Sequence, residues 1–196
     1  PPITIVIGNP PSSDTVASDA PRTIIEAMMD DYRPEKSSIR GRQNIQQGLS
    51  NEAYRFLRWS TEKVLKTGAG IVSLIMPGSI ATSVSFSKVR QWLDESFDAV
   101  YVLIFDQDGR ADQRGNSLFD VLQGRLVLMC VKLDGSTEKV NGQIHIEDIA
   151  GRSMLEKHEF LTKSENILST FTRTTVRTQD HRWAQGAEFD EILWGK

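Results

Sequence analysis

The sequence predicts an α/β fold, and three observations carry the prediction. Short apolar runs recur at residues 3–7 (ITIVI), 70–76 (GIVSLIM), 99–105 (AVYVLIF) and 125–133 (RLVLMCVKL). Each has the length and near-continuous hydrophobicity of a strand covered on both faces. Segments of helical period lie between the first three, giving strand and helix in alternation. The chain has 196 residues, 39% hydrophobic and 25% charged, enough for one domain with a packed core.

Taken in order, residues 3–7 form the first strand and residues 12–21 a loop of Ser, Asp and Pro. Residues 22–32 read as a helix with Ile24, Ile25, Met28 and Met29 on one side, ended by Pro34. The polar stretch 33–49 has no clear period and reads as a long loop. Residues 50–66 (SNEAYRFLRWSTEKVLK) are the strongest helix. Ser50 is its expected N-cap, Glu52 lies in its first turn, and Gly68 is its stop. Ala53, Phe56, Leu57 and Val64 share one face. Strand 70–76 ends at Pro77-Gly78. Helix 86–95 turns Val89, Trp92 and Leu93 inward, and strand 99–105 follows. The polar, glycine-rich stretch before residue 125 has no helical pattern, so the third and fourth strands are expected to pair antiparallel through a long connection. Residues 134–135 are a turn and 143–149 (QIHIEDI) alternate like an edge strand. Residues 154–168 read as a helix in an otherwise irregular end. There are no internal repeats.

Composition narrows the function classes. No apolar run reaches the ~18–20 residues that a spanning helix needs, and the chain does not open on a signal-peptide pattern. A single cysteine, Cys130, sits inside a strand. It excludes a disulfide framework, fits a cytoplasmic setting and reads as a buried structural thiol. A formal net charge of -3 argues mildly against a pure nucleic-acid module. The first strand begins at once and without a Met, which predicts a piece of a longer polypeptide.

The first strand stops at Gly8-Asn9-Pro10-Pro11. Ligands of open α/β sheets bind at the carboxyl ends of strands. There the Asn9 side chain offers a carbonyl acceptor and an amide donor, and the proline ring fixes the backbone that carries the Pro10 carbonyl. Two rigid oxygen acceptors suit an exocyclic amine. Accepting both N–H bonds draws the nitrogen lone pair out of ring conjugation and makes the amine a better nucleophile. Asn-Pro-Pro is also an ordinary turn opening.

The stretch VIGNPPS resembles the [DN]PP[YF] motif of amino-group DNA methyltransferases. The resemblance continues through residues 51–106, from NEAYRFLRW to VYVLIFD, and in FDVLQGRLVLMCVK. It covers about residues 3–133 and is similar in kind to the adenine-N6 methyltransferases of type ISP and type IIG restriction–modification proteins; HRWAQ resembles a segment leading toward target recognition. The resemblance implies a Rossmann-like methyltransferase sheet, its C-terminal half, mostly parallel with an antiparallel hairpin edge. Residues 1–133 would be the catalytic-loop half and 134–196 a C-terminal extension. It implies S-adenosylmethionine as cofactor, double-stranded DNA as partner, and a flipped adenine as substrate. Asn9 and the Pro10 carbonyl would hold the adenine N6, and Pro11 would stiffen the loop. Ser12 stands where the family has an aromatic that stacks on the base. Phe119 is the candidate replacement, or else a plain core anchor before a strand. Arg40, Arg42, Arg110 and Arg114 are candidate phosphate contacts, or a solvated surface. Ser79 would border the DNA-facing rim.

The family's glycine-rich cofactor loop has no counterpart before Asn9, and Gly68-Ala69-Gly70 ends a helix. The chain is therefore expected to need the missing N-terminal part of the same polypeptide, to be inactive alone, and to self-associate through an exposed part of its sheet. The alternative is a degenerate methylase fold that only binds DNA or a partner subunit. His145, His158 and His181 are too far apart in sequence for metal-ligand spacing and read as surface residues; no metal is expected. No Gly-x-Ser-x-Gly elbow occurs. Tyr54 and Trp59 read as core.

Overall fold

A computed structural model describes residues 4–11, 24–33, 48–106, 124–135, 143–163, 166–174 and 183. In chain order the elements are β1 (Ile5–Gly8), α1 (Ile24–Met28), α2 (Glu52–Thr67), β2 (Gly70–Pro77), α3 (Ser79–Thr82), α4 (Ser87–Ser96), β3 (Ala99–Ile104), β4 (Arg125–Lys132), β5 (Gln143–Asp148), α5 (Met154–Lys163) and β6 (Thr172–Thr174). Single 3₁₀ turns extend α1 (Met29–Tyr32), precede α4 (Val84–Phe86) and precede β6 (Ile167–Thr170).

The six strands form one sheet in the order β1-β2-β4-β3-β5-β6. β1, β2, β3 and β5 point the same way, while β4 and β6 run opposite. The fold is mixed α/β. The expected antiparallel pairing of the third and fourth strands is present, but β4 is inserted between β2 and β3 in the sheet interior. The antiparallel edge is instead β6 on β5, two strands that a helix separates in the chain. β5, expected as an edge strand, thus has neighbours on both sides.

Strand register explains the core. Alternate residues share a face, and pairing aligns Val72, Cys130, Val100 and Ile144 in one row across the sheet. Leu74, Leu128 and Val102 form a second row, and Met76, Leu126 and Ile104 a third. All are buried, under Ala53, Tyr54, Leu57 and Val64 of α2 and Val89 and Leu93 of α4. Cys130 is therefore a core thiol, and burial raises its pKa by penalising the thiolate. The opposite face carries a smaller cluster of Leu103, Phe105 and Ile149, with Phe160, Ile167 and Phe171 packed on it.

Helix ends follow local chemistry. Asn51, not Ser50, caps α2: its side-chain oxygen accepts from the Ala53 amide at 3.0 Å. Gly68 closes α2 in the left-handed region at φ 86°, where its amide reaches Val64 O and Leu65 O. Phe56, expected inside, is exposed, because the buried side of α2 rotates toward Arg58 and Thr61. The buried Arg58 guanidinium bonds Asp31 (2.6 Å) and Glu62 (2.9 Å), donates to Met28 O (3.2 Å), and lies 4.5 Å from the centre of the Trp92 ring. Arg55 pairs with Glu26 beside it. A capping box opens α5, with the Ser153 amide donating to Glu156 at 2.8 Å. Among the described residues, no helix is long and apolar enough to cross a membrane.

Candidate functional site

The strand directions gather one set of chain ends on one edge of the sheet. Asn9, Pro10 and Pro11 leave β1 there. Gly78 follows β2, Phe105 and Asp106 follow β3, Gly124 precedes the antiparallel β4, and Ile149 and Ala150 follow β5. Asn9 is exposed, Pro10 is buried and Pro11 is exposed. Burial of the Pro10 ring, together with its fixed φ, seats the backbone at this tip while the Asn9 amide faces outward. Among the described residues, Asn9 has no side-chain hydrogen bond, so both its carbonyl oxygen and its NH₂ are open to a ligand. Gly8, the last residue of β1, lies beside Leu74 and Phe56, where a Cβ would make ordinary contacts.

The neighbouring tips are held to one another through backbone. The Gly78 amide donates to Gly124 O at 2.8 Å, and the Phe105 and Asp106 amides both donate to Arg125 O, at 3.0 and 3.2 Å. The Ile149 amide donates to Ile104 O at 3.0 Å. Tyr54 and Ser79 hydroxyls approach to 3.4 Å, and Tyr54 stacks on Phe86 with centroids 4.4 Å apart. Tyr54 is core, as its sequence position suggests, while Trp59 is half-buried.

Two features at this edge carry no local sequence signal. Lys157 of α5 donates to Asp106 Oδ1 at 2.8 Å, with the lysine only 1% exposed. The partners stand 51 residues apart, so neither charge pattern nor period could pair them. Arg90, fully buried, reaches the turn after β2. A guanidinium buried in this way must find acceptors inside.

Ser12, Arg40, Arg42, Arg110, Arg114 and Phe119 lie outside the described residues, as does His181. His158 is exposed. His145 differs from the surface reading: it stacks on Tyr101 at 4.5 Å, with Phe171 edge-on to the tyrosine at 5.7 Å. Among the described residues, no three His, Cys, Asp or Glu side chains gather into a metal-ion site. Gly68 and Gly70 join α2 to β2, and a Cβ on Gly70 would collide with the Thr4 carbonyl.

No protein-family model matches the chain, and no curated protein does. Solved structures do. The chain is similar to the ATP-dependent type ISP restriction-modification enzyme LlaBIII bound to DNA, with 26% identity and a TM-score of 0.74. That match covers 97% of this chain and 13% of the enzyme. A nuclease-deletion mutant of the type ISP restriction-modification enzyme LlaGI, in complex with a DNA substrate mimic, shares the fold at 20% identity and a TM-score of 0.74, over 97% of this chain and 19% of that one. A DrdV–DNA complex shares it at 21% identity and a TM-score of 0.69, over 93% of this chain and 18% of that one. The chain thus has the fold of one segment of much longer proteins, two of them type ISP restriction-modification enzymes, and spans less than a fifth of their length.

Proposed function

We propose that this chain is part of a restriction–modification polypeptide and carries the target-base site of a DNA adenine-N6 methyltransferase. The observation that carries the reading is the exposed Asn9 beside the buried Pro10 at the carboxyl tip of β1. The likeness to LlaBIII over 97% of the chain, in a structure that holds DNA, supports it. The substrate is an adenine rotated out of double-stranded DNA. Asn9 Oδ1 and the Pro10 carbonyl oxygen accept the two N–H groups of the exocyclic amine, and Pro11 keeps the two acceptors at a set separation. The contribution of these residues is orientation and polarisation of the amine.

S-adenosylmethionine would supply the electrophilic methyl group. The described residues do not build its site by themselves, since Gly68 and Gly70 are used in joining α2 to β2. In this reading the cofactor is held by the N-terminal part of the same polypeptide, docked along β1. Among the described residues the outer edge of β1 is unpaired, and Ile5 and Ile7 are 60% and 78% exposed.

The test is methyl transfer from labelled S-adenosylmethionine to adenine-containing duplex by the full-length polypeptide. Asn9→Ala is expected to lower transfer by at least about 10²-fold with an unchanged unfolding transition. Undiminished transfer in that variant would overturn the assignment. Ser12, standing where an aromatic would stack on the base, favours a second reading: a methylase fold that binds DNA without modifying it. DNA binding without transfer in the wild type, and transfer in Ser12→Tyr, would establish that reading.

A further inference from the structure

The turn after β2 is held far more firmly than its length warrants. α3 has four residues, too few to persist on its own, because helix nucleation is costly. Each end of it is tied to a different part of the molecule. At its start the Gly78 amide donates to Gly124 O, 2.8 Å away at the foot of β4. Within it, the Ala81 amide donates to Gly78 O and the Ser83 amide to Ser79 O, each at 2.9 Å. The carbonyls that such a short helix leaves over are taken from outside. Ala81 O accepts the Trp183 amide at 3.0 Å. Ile80 O and Ser83 O both accept from Arg90 Nη1, at 2.7 and 2.8 Å.

Arg90 is 0% exposed and belongs to α4, whose other inward residues, Val89 and Leu93, are apolar. Its guanidinium cannot lose its charge, and burying a charge is expensive unless acceptors meet it. An aliphatic side chain would fill the same space without that cost, so packing alone does not account for an arginine. What only the guanidinium supplies is one fixed donor plane that holds two backbone oxygens at once.

The turn stands beside the candidate site. Gly8 pairs with Leu74, so residues 9–11 leave the sheet alongside the last residues of β2, where the turn begins. We infer that Arg90 is a positioning residue of the strand-tip site: it sets the backbone of residues 78–83, which leaves β2 at the same edge of the sheet where Asn9 and Pro10 leave the neighbouring β1. The inference rests on the methyltransferase reading for the reaction it serves, and on geometry alone for the turn.

The experiment uses the full-length polypeptide with Arg90→Lys and Arg90→Met. Amide hydrogen exchange is read separately at residues 79–86 and in β4, alongside the methyl-transfer rate and duplex-DNA affinity. Arg90→Met is expected to speed exchange in the turn by at least about tenfold and leave β4 protection intact. Its transfer rate should fall by about 10²-fold, with DNA affinity unchanged, and Arg90→Lys should lie between. Equal loss of protection in β4, or no change in the turn, would overturn the inference, since Arg90 would then support the core generally or nothing. Should Arg90→Met fail to fold, Arg90→Lys decides the matter by the same local exchange. Wild-type polypeptide without transfer defeats the methyltransferase reading, and the exchange data still decide whether Arg90 sets the turn.

Discussion

Single residues at the strand tips bind distant parts of the chain together, and Lys157 with Asp106 is the case with the highest stake. Both side chains are buried and meet at 2.8 Å. Removing one partner of such a pair strands a charge in the interior, whereas replacing both by apolar groups is often neutral. Lys157→Met is expected to destabilise the fold by about 3–5 kcal/mol, measured by denaturant unfolding. Adding Asp106→Leu should recover a large part, leaving the double variant more stable than the sum of the two single changes predicts. Simple additivity of the two substitutions would mean that the contact stabilises nothing. At the same scale, the placement of Asn9 was legible because Asn-Pro-Pro directly follows a β-branched run. The N-cap of α2 was not, since Ser50 and Asn51 are both good caps and only the backbone path selects Asn51.

Among the elements, the α2–β2 junction shows how one position governs a strand's seat. Gly70 has φ 153°, and a Cβ there would strike the Thr4 carbonyl, whose oxygen accepts the Ile71 amide at 2.7 Å. Gly70→Ala therefore has to break the backbone contact or push β1 away from β2. The expected cost is at least about 2 kcal/mol, with hydrogen exchange rising first in residues 5–8. A fully stable Gly70→Ala protein with β1 still protected would refute this account. Helices α2 and α4 and strands β1 to β5 were readable from their periods, because each buries one face or both. α3 and β6 were not: four and three residues carry no period, and they exist because neighbours hold them.

For the whole molecule, the two faces of the sheet are unequally covered. Val6 packs on the main core, while Ile5 and Ile7, on the other face, are 60% and 78% exposed. The same strand has an unpaired outer edge among the described residues. An exposed apolar strand with a free edge invites another chain. This chain by itself is expected to self-associate, and Ile5→Lys with Ile7→Lys should shift it toward monomer in analytical ultracentrifugation without loss of helicity. A wild-type chain that stays monomeric at ~0.1 mM, a concentration at which weak contacts form, would overturn this expectation.

The α/β class, the chain order of the main strands and helices, the burial of Cys130 and the place of Asn9 at a strand end are all legible in local stretches of sequence. Each of these follows from near-neighbour chemistry: a period set by burial, or a turn residue next to an apolar run. Tertiary structure alone decided that β4 enters between β2 and β3, that β5 has a partner on each side, and that Lys157 meets Asp106 and Arg90 meets Ile80 and Ser83. Those outcomes depend on which distant groups satisfy a buried polar atom or a free strand edge. No local pattern encodes that choice, because it is made by the summed hydrogen bonding and packing of the folded chain.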